Sequence, residues 1–253
     1  MVYYPPIRRF KLSTVFELKN VYYSYNKPVP ALIDISFEVK KGEKLILLGA
    51  NGSGKSTLLK LMDNLIYPDK GEIWAFGKLL GGKKTFDEYE FRKKVGFVFQ
   101  DSDVQLFSTT VFDEIAFAPL QMGLKEDEVQ KIVEETLISF GIEKLKDRPP
   151  HRLSGGEKKK VALASVMVIN PEVLLLDEPT NGLDPRSKKW LLVKLQELNK
   201  KGTTIVIATH DLDMAATLSD RIIVLNEDHR IETIGKPEEI LNNEELLLKA
   251  NLI

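Results

Sequence analysis

A glycine-rich segment, GANGSGKST at positions 49 to 57, contains the residues with the clearest capacity for chemistry. Its glycines let backbone N–H groups approach a phosphate chain closely, and the helix expected after it adds a positive N-terminal end. Lys55 is placed to reach the outer phosphates, and the Ser56 hydroxyl is the kind of oxygen ligand that Mg²⁺ accepts. A glycine-rich turn that only caps a helix is the alternative. The pattern predicts a nucleotide-binding loop made of Gly49, Ala50, Asn51, Gly52, Ser53, Gly54, Lys55, Ser56 and Thr57.

An acidic pair, Asp177 and Glu178, stands at the end of the apolar run VLLLDEP. Successive residues of a strand point to opposite faces, so we expect the two carboxylates to have different roles. We assign Asp177 to Mg²⁺ and Glu178 to the water that attacks the outer phosphate, a reaction that depends mainly on positioning and charge neutralisation. Asp-Glu-Pro can also form a simple turn. Together with the loop at 49–57, the pair predicts hydrolysis of a bound nucleotide.

A second segment suited to phosphate, LSGG at positions 153 to 156, has no acidic pair of its own. Ser154 and the amides of Gly155 and Gly156 stand where a helix is expected to begin, and a helix N-terminus attracts anions. Taken alone, the segment is an ordinary helix start with Ser154 as its N-cap. Two phosphate segments with one acidic pair are more than a single self-contained site requires.

Strand and helix patterns alternate around these residues. Short apolar or alternating runs bounded by turn residues predict strands over 16–25, 35–39, 44–48, 95–99, 173–176, 203–208 and 221–225. Apolar residues at helical spacing predict helices over 55–65, 126–140, 154–169, 186–198 and 212–218, and GGKK at 81–84 predicts a flexible turn. The expected fold class is α/β, with parallel strands joined by crossover helices, an N-terminal β layer and a helical insertion.

Length, charge and cysteine content exclude several classes of protein. A chain of 253 residues with an α/β pattern often forms one domain, which we place at 1–253 with a core at about 15–99 and 170–241, a helical part at about 100–169 and a short tail at 242–253. The formal charge of -1 gives no basic field for nucleic acid, and the absence of cysteine excludes disulfides. Residues 1–14 lack the apolar stretch of a secretory leader, and no apolar run reaches membrane-spanning length.

Six motifs in order carry a family resemblance: GANGSGKST, Gln100 after VGFVF, LSGGEKKKVALA, VLLLDEP, NGLD at 181–184 and His210 after TIVIAT. Together they resemble the ATP-binding cassette (ABC) ATPases over about 15–241. The resemblance implies a P-loop NTPase fold of the ABC type, with an N-terminal antiparallel β layer, a mostly parallel central sheet and a helical subdomain, and with ATP and Mg²⁺ as ligands. It also implies that two cassettes pair head to tail. The signature segment of one chain then acts on the ATP of the other, through Leu153, Ser154, Gly155, Gly156 and Glu157.

The resemblance implies roles for further positions. Gln100 touches Mg²⁺ and the attacking water and links the nucleotide to the helical insertion, since an amide both donates and accepts. His210 hydrogen-bonds the γ phosphate, Asp184 organises the facing site, and Tyr25 stacks on adenine, with Tyr23 as the competing aromatic. The implied catalytic set is Glu178, His210, Gln100 and Lys55, and the implied metal set is Ser56, Gln100 and Asp177.

The stretch at 99–119 narrows the branch of the family. QLF at 105–107 is similar to the energy-coupling factor ATPases, which drive uptake of vitamins or of cobalt and nickel, although Asp-Ser at 101–102 replaces their usual Asn-Pro. Within the signature, Glu157 and Lys160 stand where the family commonly has Gln and Arg. The bidentate contacts that arginine can make are therefore lost at Lys160.

An apolar patch of Phe107, Val111 and Phe112 is expected beside Gln100, suited either to receive a helix of a membrane partner or to form the core of the insertion. The expected function is that of a peripheral ATPase subunit at the cytoplasmic face of the membrane. Its expected partners are a second ABC ATPase subunit, a transmembrane coupling protein and a substrate-binding membrane protein, without nucleic acid. The other classes considered are a soluble cassette of DNA repair or translation and a non-catalytic regulatory cassette.

Overall fold

The computed structural model describes residues 13–81 and 87–253. Two of the sequence predictions fall mainly outside these ranges: the absence of a secretory leader at the N-terminus, and the turn at 81–84 beyond Gly81. Within the described residues no helix combines the length and the apolar composition needed to cross a bilayer.

The described elements follow the predicted alternation of strand and helix. The strands are β1 Thr14–Tyr23, β2 Leu32–Lys40, β3 Lys44–Leu48, β4 Lys70–Ala75, β5 Lys78–Leu79, β6 Val95–Val98, β7 Val173–Asp177, β8 Thr204–Thr209, β9 Arg221–Leu225 and β10 Ile231–Gly235. The helices are α1 Lys55–Met62, α2 Glu88–Lys94, α3 Ser102–Gln105, α4 Val111–Gln121, α5 Glu126–Phe140, α6 Gly155–Met167, α7 Pro185–Lys200, α8 Leu212–Leu218, α9 Pro237–Leu241 and α10 Glu244–Lys249.

The strands form two sheets. An antiparallel sheet has the order β2-β1-β4-β5, and a second sheet has the order β10-β9-β3-β8-β7-β6. In the second sheet only the β9–β10 pair is antiparallel. The predicted α/β fold class, with an N-terminal antiparallel layer and a mostly parallel central sheet, is confirmed. The strands β4, β5 and β10 were not predicted. The sequence of β4, KGEIWA, shows why for that strand, because its first three residues are charged or glycine and exposed.

The central sheet separates two hydrophobic cores, and β3 shows how. Leu45 and Leu47 pack into the core between the two sheets, whereas Ile46 and Leu48 pack into the core beneath the helices. A parallel strand buried on both faces is a continuous apolar run, as KLILL is. The second core also contains the buried face of α5, whose predicted bounds of 126–140 and apolar residues Val129, Val133 and Leu137 are confirmed.

Candidate nucleotide site

The phosphate loop connects β3 to α1 without an intervening strand or helix. Gly54, the residue before α1, has φ 105° in the left-handed region, and a Cβ there would lie 2.5 Å from the backbone oxygen of Ala31. Only glycine fits both the conformation and the close approach. The N-terminus of α1 therefore opens directly onto the loop, where its unpaired backbone N–H groups are available to an anion.

Lys55 lies folded back over this loop. Its side chain is buried, and Nζ donates to the carbonyl oxygens of Gly49 at 2.7 Å and Ala50 at 3.0 Å. The carboxylate of Glu178 stands 3.5 Å away. Burial lowers the pKa of Lys55, while the Glu178 charge opposes that shift. The loop thus has a cation fixed at its centre.

Ser56 and Asp177 supply neighbouring oxygen ligands. The Ser56 hydroxyl donates to Oδ1 of Asp177 at 2.8 Å, and burial raises the pKa of Asp177 against the effect of that hydrogen bond. The hydroxyl of Ser53, buried inside the loop, has no hydrogen-bond partner among the described residues. These groups fit Mg²⁺ with a phosphate chain, since Mg²⁺ is usually held by one or two protein oxygens plus phosphate and water.

Glu178 leaves the strand instead of continuing it. The strand β7 ends at Asp177, and Glu178 has φ 40°, a left-handed conformation that is uncommon for a residue with a side chain. Its backbone N–H donates to the carbonyl oxygen of Ala208 at 2.8 Å, and its carboxylate accepts from the Thr209 hydroxyl at 3.1 Å. The prediction that strand alternation gives the two carboxylates different roles is therefore wrong, because Glu178 is not part of the strand. Each contacts its own residue of α1, Asp177 through Ser56 and Glu178 through Lys55.

His210 lies beside this carboxylate. Its Nδ1 is 3.0 Å from Oε1 of Glu178, and nearly half of its side chain is exposed. A neutral imidazole has a hydrogen on only one of its two nitrogens. If that nitrogen is Nδ1, which donates to Glu178, then Nε2 can donate to a phosphate only in the imidazolium form. The contact places His210 next to the expected base, and its hydrogen bond to the γ phosphate remains a prediction.

Tyr25 is placed beside the loop, past the end of β1. The predicted strand over 16–25 ends earlier, at Tyr23, because the chain bends at the next residues. Tyr25 is exposed and its hydroxyl accepts from Thr57 at 3.2 Å, whereas Tyr23 packs edge-on against Tyr25 and against the core. The position favours Tyr25 for stacking on a base, which stays a prediction.

The signature segment begins α6. Ser154 is its exposed N-cap, and the Glu157 carboxylate accepts from the Ser154 N–H at 2.8 Å and from its hydroxyl at 2.9 Å. These hydrogen bonds lower the pKa of Glu157. Glu157 therefore completes a capping box, a structural role that accounts for a carboxylate at this position. Leu153 is buried and anchors the segment on the core.

Gly156 brings the signature segment against the predicted dimer loop. A Cβ on Gly156 would lie 2.3 Å from the Ser187 hydroxyl, so no side chain fits there without movement. Asp184 caps α7 by accepting from the N–H groups of Arg186 at 2.9 Å and Ser187 at 3.0 Å. The structure thus brings Asp184 and the signature together, while Lys55, Ser56, Asp177, Glu178 and His210 form a separate group.

Gln100 follows β6 with its side chain exposed, and its backbone is held by a residue that the sequence did not indicate. Lys159 of α6 is only 4% exposed, and its Nζ donates to the carbonyl oxygens of Gln100 at 2.9 Å and Phe99 at 3.2 Å. Burial lowers the pKa of Lys159 to about 8, against the opposing charges of Asp101 and Asp177. In the sequence Lys159 is the middle of KKK, which predicts a solvated helix face.

Two more polar residues fix the loop after β6. Gln105 accepts from the Phe99 N–H at 3.0 Å and donates to Ala162 of α6 at 3.1 Å. Glu114, buried in α4, accepts from the N–H groups of Phe107 and Ser108. The QLF motif includes Gln105, but it predicted only the branch of the family and not this contact with α6. No pattern in the sequence predicted the contacts of Glu114.

A family model described as "ABC transporter" matches residues 32–181, more than half of the chain. This chain belongs to the ABC transporter ATPases. A relative in Caldanaerobacter subterraneus, named a putative ABC transporter ATP-binding protein, is 79% identical over 96% of this chain and 100% of its own length. The energy-coupling factor transporter ATP-binding protein EcfA of Methanocaldococcus jannaschii is 44% identical, over 94% of this chain and 85% of its own.

A solved structure agrees with this assignment. CbiO1 of Clostridium perfringens, described as part of the ABC transporter complex cbiONQ, has a TM-score of 0.82 and 40% identity, covering 95% of each chain. The resemblance to the energy-coupling factor type is therefore confirmed. The ABC ATPase is an ATP-binding subunit that hydrolyses ATP to power a transporter.

Replacing Lys55 by Ala in the ABC ATPase should weaken ATP binding by about 10- to 100-fold, because a hydrogen bond to a charged group contributes roughly 1.5–3 kcal/mol. Titration with a fluorescent ATP analogue measures the change. Lys131→Ala, at an exposed position of α5, removes the same charge outside the loop and serves as the control. Equal affinities for the Lys55→Ala variant and the wild type would contradict the placement of the nucleotide.

Proposed function

We propose that this ABC ATPase energises an energy-coupling factor type importer of a vitamin or of cobalt or nickel. The observation that carries the proposal is the exposed aromatic pair Phe107 and Phe117, which follows the Gln100 loop in sequence together with the exposed Val104 and Leu120. The similarity to CbiO1, whose description places it in the cbiONQ complex, supports the same branch.

This surface differs from the predicted patch. Val111 is fully buried and Phe112 is packed against the core, so for these two residues the alternative prediction, the core of the insertion, is the one that holds. Phe107 is instead 67% exposed and meets the 44% exposed Phe117 edge to face, with ring centroids 5.0 Å apart. Helical spacing turned Val111 inward because α4 packs on α6, and it left Phe117 outward.

The proposed occupant of the surface is a helix of the transmembrane coupling protein. Exposed aromatic pairs next to aliphatic residues are typical of a site that receives an apolar helix face. A substrate-binding membrane protein completes the proposed complex, and the ATPase then lies peripherally on the cytoplasmic face of the membrane.

In the proposed reaction, Ser56, Asp177 and Gln100 hold Mg²⁺, which neutralises phosphate charge when bound. Glu178 accepts the proton of the attacking water, and Lys55 holds the outer phosphates. Hydrogen bonds within the chain orient both carboxylates, Asp177 through Ser56 and Glu178 through Thr209.

Other proposed contacts orient the nucleotide from both chains. Tyr25 stacks on adenine and His210 contacts the γ phosphate. A second ABC ATPase subunit, identical or related, supplies its residues 153–157 across the interface, where Asp184 lies beside the signature. The exposed Ser154 N-cap supports this arrangement, because a helix start open to solvent can meet an anion held by another chain.

Replacing Phe107 by Asp tests the proposed partner. Because a truncated aromatic anchor commonly costs about 2 kcal/mol or more, affinity for the coupling protein should fall roughly 30-fold, with ATP hydrolysis by the isolated subunit retained. Co-purification from membranes measures the complex, and Tyr67→Asp, at another exposed aromatic, is the control. Undiminished capture of the membrane protein would contradict this surface. Recovery of ribosomes or DNA instead would favour the soluble cassette class.

A further inference from the structure

We infer that Lys159 is a positioning residue that ties the loop carrying Gln100 to the signature helix of the same chain, and that turnover requires this tie. The inference rests on the proposed role of Gln100 at the attacking water. It concerns the middle residue of the KKK run at 158–160, which contacts the backbone of Gln100 itself. Lys158 pairs with Asp103 near the surface, and Lys160 lies over the Trp190 ring, 4.9 Å from its centroid.

The hydrogen bonds of Lys159 set the direction of Gln100. The two carbonyl groups that accept from Nζ belong to the peptide groups on either side of the Gln100 Cα atom. Holding both peptide planes fixes the origin and orientation of the Gln100 side chain. A buried ammonium must have such partners, because removing it from water without them is very costly.

A second contact ties the same loop to the same helix. Gln105 accepts from Phe99 and donates to Ala162, which lies about one helical turn after Lys159. The loop from Phe99 to Gln105 is therefore bound to α6 through Lys159 and Gln105, and also through the ion pair of Lys158 with Asp103. The hydrogen bonds of Lys159 and Gln105 do not involve a strand of the central sheet, because Phe99 comes just after the end of β6.

The helix that holds the Gln100 loop, α6, also has the signature segment at its N-terminus. Ser154 caps α6 and Lys159 lies in its second turn, so a continuous helical hydrogen-bond ladder joins them. A displacement of Gln100 must therefore move Ser154 with it, and a displacement of Ser154 must move Gln100. In a head-to-tail pair, Gln100 serves the ATP of its own chain and Ser154 serves the ATP of the other. Lys159 thereby links the two sites.

Steady-state ATP hydrolysis by full-length variants tests the inference. Lys159→Met keeps the length of the side chain but removes every donor, whereas Lys159→Gln keeps an amide donor. We expect Lys159→Met to lower kcat about tenfold, the size of effect found for residues that couple two sites, with KM for ATP within about twofold of the wild type. Lys159→Gln should recover much of the loss. Lys131→Met removes the same charge from an exposed position of α5, away from this loop in sequence, and should leave kcat within about twofold.

The outcomes separate this inference from the proposed function. Retained hydrolysis in the wild type with equal kcat values for Lys159→Met and Lys131→Met would overturn the tie while leaving the ATPase function intact. A matched fall in kcat and rise in KM in both Lys159 variants, with a lowered unfolding midpoint, would also overturn it, since that pattern indicates a purely structural lysine. Absence of hydrolysis in the wild type would instead count against the proposed function.

Discussion

Replacing Glu178 by Gln should lower kcat for ATP hydrolysis by about 10²- to 10⁴-fold, the range that a positioned general base contributes. Gln has nearly the same shape and can still meet Thr209, but it cannot take a proton from water. Lys55, Ser56 and Asp177 are unchanged, so ATP affinity should be retained. ATP that is bound but not hydrolysed should then hold two chains together.

Two measurements check this result. Single-turnover hydrolysis reports the chemical step, and size-exclusion chromatography with and without Mg-ATP reports the pairing of chains. Glu172→Gln is a matched control, because Glu172 lies just before β7, at the opposite end of the same strand from Glu178. Turnover at the wild-type rate in the Glu178→Gln variant would refute the assignment of the base.

Adding Ser154→Arg to the Glu178→Gln variant should abolish the ATP-dependent pairing, weakening it by roughly 100-fold or more, the scale of losing a strong contact at an interface. Ser154 is exposed at the start of α6, so a bulky side chain projects from the surface that is proposed to meet the partner's ATP. The loss of an N-cap costs only about 1 kcal/mol of helix stability, and the monomer should remain folded.

Binding of ATP to the single chain shows whether Ser154 acts on the ATP of its own chain or on that of the partner. It should stay unchanged in the Ser154→Arg double variant, because the phosphate loop and the signature form separate groups of contacts. Gln130→Arg, an exposed position of α5, introduces the same side chain away from the signature and should leave pairing intact. Loss of ATP binding together with loss of pairing would show that Ser154 acts on the ATP of its own chain.

Sequence alone predicts those features that depend on local patterns. The phosphate loop, β3 and α1 follow from glycines and an apolar run in immediate succession, and the bounds of α5 follow from its apolar spacing. The conformation of Glu178 could not be predicted, because its left-handed φ depends on the backbone hydrogen bond to Ala208 in the neighbouring strand. Strand alternation therefore gave a wrong premise for that carboxylate.

Long-range burial is the other feature that sequence patterns miss. Lys159 looks like part of a solvated run, and only the meeting of α6 with the end of β6 shows that it is enclosed. Val111 and Phe117 are both apolar residues of α4, and only packing against α6 decides which is covered. Residue types determine what each side chain can do, whereas tertiary contacts determine which of them is free to do it.

The position of β3 in the central sheet has a mechanical consequence. This strand is hydrogen-bonded to β8 on one side and to β9 on the other, and four of its five residues are fully buried. Moving the phosphate loop relative to the sheet would therefore require breaking strand hydrogen bonds on both edges of β3. In the proposed head-to-tail pair, we expect closure on the nucleotide to displace α6 more than the sheet, because helices contact the sheet through side chains alone. The loop bound to α6 and the exposed pair of Phe107 and Phe117 after it would then pass that displacement to the coupling protein.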